Sequence, residues 1–414
     1  MSDVHRQASA AAPGYGRLRL WLLYLTLGAC GCLIGLLFCA VAPVLPALAA
    51  HFGGGDGGAF SAQMVMAVST LGIIAGASPA GWLVERHGGR GVLLGSLALY
   101  TLSGTAALYL DGRSALLASR FVLGLATGGI ITASVVLIGQ QFDAAARARF
   151  LGYANAAGAV AGVSGGVLAG VLGSAWGWRA PFALYGLGLL LLLSGLAAAR
   201  VVGGSAHGAG REPAAAQAGA SGVAALWPIY LTILCAYVVV FMTTTQVSFL
   251  LAANGISSPA VVGLILSGAS LLAAVGAWSY GRVAPRLGRG WVLALALFLL
   301  GAGCAVMGLW TQPAFTFVGC CLTGLGGGLL NVYFPVLLMD TAPLSVRARA
   351  LGLLYTVQFL GDFVNPFVIY PLRATLGIEG AFVAVGALMF AAALAAAWRG
   401  GFGGRGLAQA VGEA

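Results

Sequence analysis

Charged residues are scarce in this chain. Of its 414 residues, 60% are hydrophobic and only 7% are charged, whereas an ordinary soluble domain carries about 25% charged residues. So few charges cannot cover a surface that faces water. A soluble globular fold is therefore excluded for most of the chain.

Lysine is absent, and all 20 basic residues are arginine. The net charge of +10 would suggest a nucleic-acid partner in a soluble protein. Here the arginines are spread thinly through the connections between apolar segments instead of forming one patch. We therefore expect no nucleic-acid binding, and we interpret the arginines as determinants of membrane topology.

Residues that carry catalysis in soluble enzymes are also few. There are four histidines, and the seven cysteines all fall inside apolar segments, where they are interpreted as packing residues. The glycine-rich run 324–328 is not followed by the Lys-Ser/Thr pair that a phosphate-binding loop needs. We predict no enzymatic activity, no metal site and no cofactor, and ATP-driven transport is disfavoured.

Long apolar segments are what the chain does contain. Twelve candidate spans occur between residues 21 and 398, each near the 20 residues that cross a bilayer as a helix. They show no period-2 alternation, which favours helices over a barrel. The polar start leads into the first run without the pattern of a cleavable signal peptide, so we expect that run to be retained. The predicted fold class is an all-α membrane protein with twelve transmembrane helices.

Arginine is distributed unevenly between alternate connections. One set of connections contains most of the basic residues, and the opposite set contains only Arg113, Arg179 and Arg373. The positive-inside rule then places both termini in the cytoplasm and the protein in a cell membrane, the inner or plasma membrane.

A Gly-, Ala- and Ser-rich stretch after the sixth span divides the chain into two halves. The predicted organisation is a cytoplasmic tail (1–20), a six-helix half (21–200), a cytoplasmic linker (201–225), a second six-helix half (226–398) and a cytoplasmic tail (399–414).

The two halves share residues at an offset of 200 positions. Arg147-Ala-Arg149 recurs as Arg347-Ala-Arg349, and Gly124-Leu125 recurs as Gly324-Leu325. Gly81, Arg86 and Gly88 recur as Gly281, Arg286 and Gly288. Gly177 and Phe182 likewise match Gly377 and Phe382. Four such matches in one register indicate a duplicated unit, as in many transporters.

The segment between the second and third spans resembles the loop motif of the major facilitator superfamily, and the resemblance covers nearly the whole chain. It runs from Gly81 to Arg90, with Glu85 where the family usually has Asp and Gly89 in place of one basic residue. The resemblance is closest to the twelve-span drug and metabolite efflux group. It implies a cytoplasmic gate, whereas the alternative is a topology-determining loop with glycines at its turns. The predicted gate residues are Gly81, Glu85, Arg86, Gly88, Arg90, Gly281, Arg286 and Gly288.

Arg120 lies within the fourth span, in a stretch that resembles a second family motif, whose arginine is linked to proton transfer in drug antiporters. An arginine near a helix centre costs about 2.5–3.5 kcal/mol on insertion scales. Two interpretations stay open: a role in proton coupling, or a side chain that snorkels to the outer interface. The fifth span lacks the Gly-Pro pair typical of those antiporters.

Asp362 is the one carboxylate deep inside a predicted span. Tyr355, Gln358, Asp362 and Asn365 recur at helical spacing and form a polar stripe. A low-dielectric surrounding favours a neutral carboxyl group, which makes Asp362 a candidate for proton coupling. The alternative is a structural carboxyl that pins a neighbouring helix.

The resemblance also implies that spans 1, 4, 7 and 10 line a central cavity. Polar residues of spans 7, 10 and 11 then become candidate substrate contacts, while hydrogen bonding between helices is the alternative. These candidates are Tyr237, Gln246, Asn331, Tyr333, Gln358 and Asn365.

A cavity with so few charges suits amphipathic or lipophilic molecules. We therefore expect a monomeric secondary transporter, embedded in the lipid bilayer, that couples efflux of a small molecule to protons. Proton-coupled uptake of a small metabolite and a membrane receptor that does not transport are the alternatives.

Overall fold

The computed structural model describes residues 15–142, 144–199, 226–343 and 346–402. These residues are helical or lie in short connections, and no strand occurs among them. The predicted all-α, twelve-helix membrane fold is confirmed. The predicted linker 201–225 and most of the two tails lie outside the described residues.

Within the described residues, eleven helices are long and apolar enough to cross a membrane, and the last of these contains two spans. The helix Arg347–Phe402 is interrupted at Gly377, whose φ of 73° is not helical, so it provides α11 before this glycine and α12 after it. The other spans are α1 Tyr15–Cys39, α2 Gly55–His87, α3 Gly89–Thr105, α4 Arg113–Gln141, α5 Ala144–Trp176, α6 Leu187–Ala199, α7 Trp227–Ala253, α8 Pro259–Leu287, α9 Arg289–Leu309 and α10 Pro313–Thr341.

Short turns at glycines connect the helices. Gly88 and Gly288 have φ values of 82° and 78° and each joins two spans, while Gly177 and Gly377 have φ values of 81° and 73°. A side chain is strained at such angles, which explains glycine at these positions. The same turns therefore occur in both halves, 200 positions apart.

We call the membrane side that contains residues 199 and 226 the linker side, and the opposite side the far side. On the far side, α1 is followed by a 3₁₀ turn, Ala42–Val44, and a short helix, Leu45–His51. Another 3₁₀ turn, Ala180–Gly186, precedes α6.

Helix crossings within each half depend on glycine. A Cβ atom on Gly124 would overlap the backbone oxygen of Ser69, where α4 crosses α2. Gly324 meets the backbone of Ala269 in the same way, where α10 crosses α8. Small residues let transmembrane helices approach this closely.

The two halves meet chiefly along two pairs of helices, α2 with α11 and α5 with α8. Where α5 meets α8, a Cβ atom on Gly263 would overlap the backbone oxygen of Gly166. The Ser174 hydroxyl oxygen accepts a hydrogen bond from the backbone N–H of Ala260 at 3.0 Å. The polar side chains of the candidate site lie beside these interfaces.

Candidate functional site

Asp362 lies on α11 at the interface with α2 and is 0% exposed. The Thr70 hydroxyl of α2 lies near its carboxyl group but donates to the backbone oxygen of Ala67 at 2.6 Å. Among the described residues, neither carboxylate oxygen has a hydrogen-bond partner. Asp362 is therefore a buried carboxyl group between the two halves with its hydrogen-bonding capacity unused.

Asn365 and Gln246 are fully buried and bonded to other helices. The Asn365 amide donates to the backbone oxygen of Val238 at 2.7 Å, and its Oδ1 accepts from Thr245 at 2.9 Å. Gln246 exchanges two amide hydrogen bonds with Gln63 of the other half, at 3.0 and 3.2 Å. In this structure both side chains link helices, as the hydrogen-bonding alternative expects, and their role as substrate contacts stays a prediction.

Arg373 extends this network toward the far side. Its Nη1 donates to Oε1 of Gln246 at 3.1 Å, and its Nη2 lies 3.6 Å from Oδ1 of Asp56. Its guanidinium also lies 5.1 Å from the ring centroid of Phe249. From the sequence, Arg373 is expected in a connection between spans, although its separation of 11 residues from Asp362 places both on one helix face. The 11-residue spacing is the feature of the sequence that could have placed Arg373 in the span with Asp362.

We call Asp56, Gln63, Gln246 and Arg373 the far-side gate, because they join the two halves near the far side. A hydrogen bond from Ser248 to the backbone oxygen of Ala42 reinforces it. On the far side of the protein, next to this gate, lies a recess of ≈ 450 Å³. Its lining residues include Asp56, Phe249 and Arg373. The halves are therefore closed against each other on the far side.

Replacing Arg373 by glutamine is expected to loosen the far-side gate. The change removes an ion pair and a hydrogen bond from a charged donor, which contributes about 1.5–3 kcal/mol. Deuterium uptake by the backbone of residues 55–63 and 365–373 should rise roughly tenfold, measured by mass spectrometry.

The matched control for this change is Arg179→Gln. Arg179 also lies on the far side, but its ion pair with Asp111 stays within the first half. Uptake at the two gate segments should match the unmodified protein in this control. Equal uptake in Arg373→Gln and Arg179→Gln would contradict the assignment of Arg373 to the gate.

Arg120 lies in the interior of the first half and is 1% exposed. Its Nη2 donates to the backbone oxygens of Ser103 and Gly104, at 2.9 and 2.8 Å. The guanidinium lies 5.0 and 5.2 Å from the ring centroids of Phe182 and Tyr185. The alternative that Arg120 snorkels to the interface is wrong. Arg120 packs within one half, and Asp362 lies between the two, so the structure does not bring these candidates together.

Asn331 connects three helices of the second half. Its Oδ1 accepts from the Tyr237 hydroxyl at 2.7 Å and from Nε2 of Gln358 at 2.9 Å. Asn331 is exposed and Gln358 is half-buried, so their unused amide atoms are accessible. The structure therefore brings together three of the predicted contacts.

Tyr333 does not join this group. Two residues along a helix correspond to about 200° of rotation, so Tyr333 lies on the opposite side of α10 from Asn331. It is buried, and its ring centroid lies 5.4 Å from that of Phe334. Its role as a substrate contact stays a prediction, because the apolar sequence of α10 does not show which face of the helix is covered.

Three phenylalanines missed by the sequence analysis lie next to the Asn331 group. The Phe38 ring of α1 is parallel to that of Phe359, with centroids 6.1 Å apart, and lies 5.8 Å from that of Phe241. The Phe241 ring in turn lies 6.1 Å from the ring of Tyr237. Phenylalanine is common in any transmembrane helix, so no sequence signal singled these residues out.

The loop-motif residues lie on the linker side in both halves. Gly88 and Gly288 provide the turns described above, and a Cβ atom on Gly81 or Gly281 would meet no neighbour within 4 Å. The Arg86 guanidinium lies 5.3 Å from the ring centroid of Trp82. The side chains of Glu85, Arg86 and Arg286 are exposed and that of Arg90 is half-buried.

The fold and the polar interface between its halves define a multi-pass membrane protein of the type that transports small molecules. The family model described as Major Facilitator Superfamily matches residues 27–257 and 229–401. The chain belongs to this superfamily.

Curated relatives are named as transporters. The niacin transporter NiaP of Acinetobacter baylyi is 31% identical over 87 residues, 21% of this chain and 20% of the relative. The matches with three such relatives span only 15–20% of the relatives' length. The 3-(3-hydroxy-phenyl)propionate transporter of Escherichia coli is 26% identical over 335 residues, 77% of this chain and 80% of that protein.

Solved structures share the fold at low sequence identity. A D-xylose-proton symporter has a TM-score of 0.72 and 14% identity, covering 91% of this chain and 97% of its own. A bacterial homologue of the lysosomal transporter Spinster, in an inward-facing and unoccupied conformation, has a TM-score of 0.71 and 12% identity, covering 94% and 98%.

Proposed function

We propose that the protein is a proton-coupled secondary transporter that exports a small amphipathic or lipophilic molecule by alternating access. The observation that carries this proposal is the buried, unpartnered carboxyl group of Asp362 between the halves. Its position links a protonation event to the movement that alternating access requires.

An ionised carboxylate buried without partners is costly, so Asp362 carries a proton while α2 covers it. Opening of the far side separates α2 from α11 and admits water to this interface. Asp362 then exchanges its proton with the far-side solution. Because each state of the carboxyl favours a different arrangement of the halves, proton binding shifts the population between them.

The linker side is the cytoplasmic side in this proposal, because it carries most of the arginines. The structure with its far side closed is then the inward-facing state of a transporter in the inner or plasma membrane. In the opposite state, the loop-motif residues Glu85, Arg86 and Arg90 form the cytoplasmic gate. The transporter works as a monomer, since each chain contains both halves.

Export is the proposed direction because the accessible polar groups at Asn331 and Gln358 are uncharged. A lipophilic molecule enters a cell through the bilayer unaided, so only its export requires work. One proton moving across 100 mV supplies about 2.3 kcal/mol, which sustains roughly a fiftyfold gradient of a neutral solute.

Uptake together with protons is the second candidate function. Arg373 favours it, because its guanidinium lines a recess on the far side where an anionic substrate would arrive. The E. coli relative is named for a phenylpropionate. An aromatic acid is the substrate class that this candidate requires.

The test is proton flux in proteoliposomes that contain the full chain and an entrapped pH-sensitive dye. Lipophilic amines, dyes and aromatic acids are added outside, with the linker side facing outward. Exchange is expected to draw protons out of the lumen as substrate enters, whereas symport would acidify the lumen. Absence of flux with every compound would overturn the proposed function.

A further inference from the structure

We infer that the binding site takes a planar aromatic molecule with an uncharged polar group that both donates and accepts hydrogen bonds. The inference deepens the proposed function and rests on it. The site consists of Phe38, Phe241 and Phe359, which we call the ring cluster, together with Asn331 and Gln358.

The ring cluster is shared between the halves. Phe38 belongs to the first half, while Phe241 and Phe359 belong to the second, and all three side chains are half-buried. Aromatic rings attract one another at centroid separations of about 4.5–7 Å in offset or edge-to-face arrangements. A planar ring bound here therefore contacts both halves at once, which couples its binding to their relative position.

The polar end of the site offers free N–H donors and a free acceptor oxygen. Oδ1 of Asn331 already accepts two hydrogen bonds, which leaves its Nδ2 to donate to a ligand. Nε2 of Gln358 donates to Asn331, which leaves its Oε1 to accept from a ligand. A carboxamide satisfies both groups, whereas a carboxylate satisfies only the donor and places a charge against the acceptor.

The two charged groups of α11 that lie beyond Gln358, Asp362 and Arg373, are not available to a ligand from the linker side. Arg373 is bonded to Gln246 and lies beside Asp56 in the far-side gate. Asp362 is fully buried. A charged ligand at Asn331 would thus lie in the membrane interior without these groups, which favours an uncharged ligand.

The test uses three probes of similar size: 2-naphthamide, its saturated analogue decahydro-2-naphthamide, and 2-naphthoate. Binding to the purified full chain in detergent is measured by equilibrium dialysis, with protein-free micelles as the blank. We expect saturable binding of 2-naphthamide, and at least fivefold weaker binding of the other two probes. Phe359→Leu and Asn331→Leu should each weaken binding of 2-naphthamide at least fivefold.

The matched control is Phe298→Leu, because Phe298 is an exposed phenylalanine of α9. This variant should bind 2-naphthamide as the unmodified chain does. Absence of saturable binding, equal binding of the saturated analogue, tighter binding of 2-naphthoate, or unchanged binding in Phe359→Leu would each overturn the inference. Proton flux driven by a non-aromatic compound and unaffected by Phe359→Leu would overturn it while leaving proton-coupled transport intact.

Discussion

Asp362→Asn is expected to abolish substrate-driven proton flux, with a fall of at least a hundredfold to the level of protein-free liposomes. Asparagine has nearly the shape of protonated aspartic acid but cannot release a proton. The variant therefore keeps the packing between α2 and α11 while losing proton exchange. The measurement is the rate of dye response in proteoliposomes after substrate addition.

Two controls separate this effect from misfolding. Asp111→Asn, on the exposed far-side end of the first half, should retain its flux, since exposed ion pairs contribute little. The unfolding temperature of Asp362→Asn should not fall, because the native carboxyl oxygens have no hydrogen bond to lose. Normal proton flux in Asp362→Asn would rule out the proposed coupling role.

Arg120→Ala is expected to destabilise the protein by about 3 kcal/mol or more. The change removes two charge-assisted hydrogen bonds to backbone oxygens at the C-terminal end of α3. It also removes the contacts of the guanidinium with two aromatic rings. It also leaves a cavity in a buried core. The unfolding temperature in detergent, followed by circular dichroism at 222 nm, should fall by roughly 5 °C or more.

Arg113→Ala is the matched control, because Arg113 lies at the exposed start of the same helix and should change the unfolding temperature little. Arg120→Lys should recover part of the lost stability, since it keeps a charged donor. A stable Arg120→Ala variant without proton flux would contradict this structural role and support the proton-transfer interpretation of the motif.

The fold was predictable because its determinants are local. Apolar segments of about 20 residues specify spans, and Gly88 and Gly288 mark turns that require a positive φ. The duplication strengthens such assignments, since Gly124 and Gly324 occupy equivalent crossings. Apolar spans and turn glycines each depend on a residue and its near neighbours along the chain, so the sequence is enough to identify them.

The site was only partly predictable because it depends on which helix faces meet. A single carboxylate in an apolar helix identifies Asp362, whatever lies around it. Tyr333 and Asn331 look equivalent in sequence, yet one is buried and the other is exposed. Gln63 and Asp56 belong to the other half of the chain, so their contacts with Gln246 and Arg373 follow only from the packing of α2 against α7 and α11.

The close approach of α5 to α8 at Gly166 and Gly263 has a mechanical consequence. Where large side chains pack between two helices, they must separate before the helices can roll over each other. At Gly166 and Gly263 the backbones are in direct contact, so no side chains have to separate. In the proposed alternating-access cycle, we therefore expect α5 and α8 to roll over each other readily at this crossing. Replacing its glycines with larger residues would slow the exchange between states even where each end state still assembles.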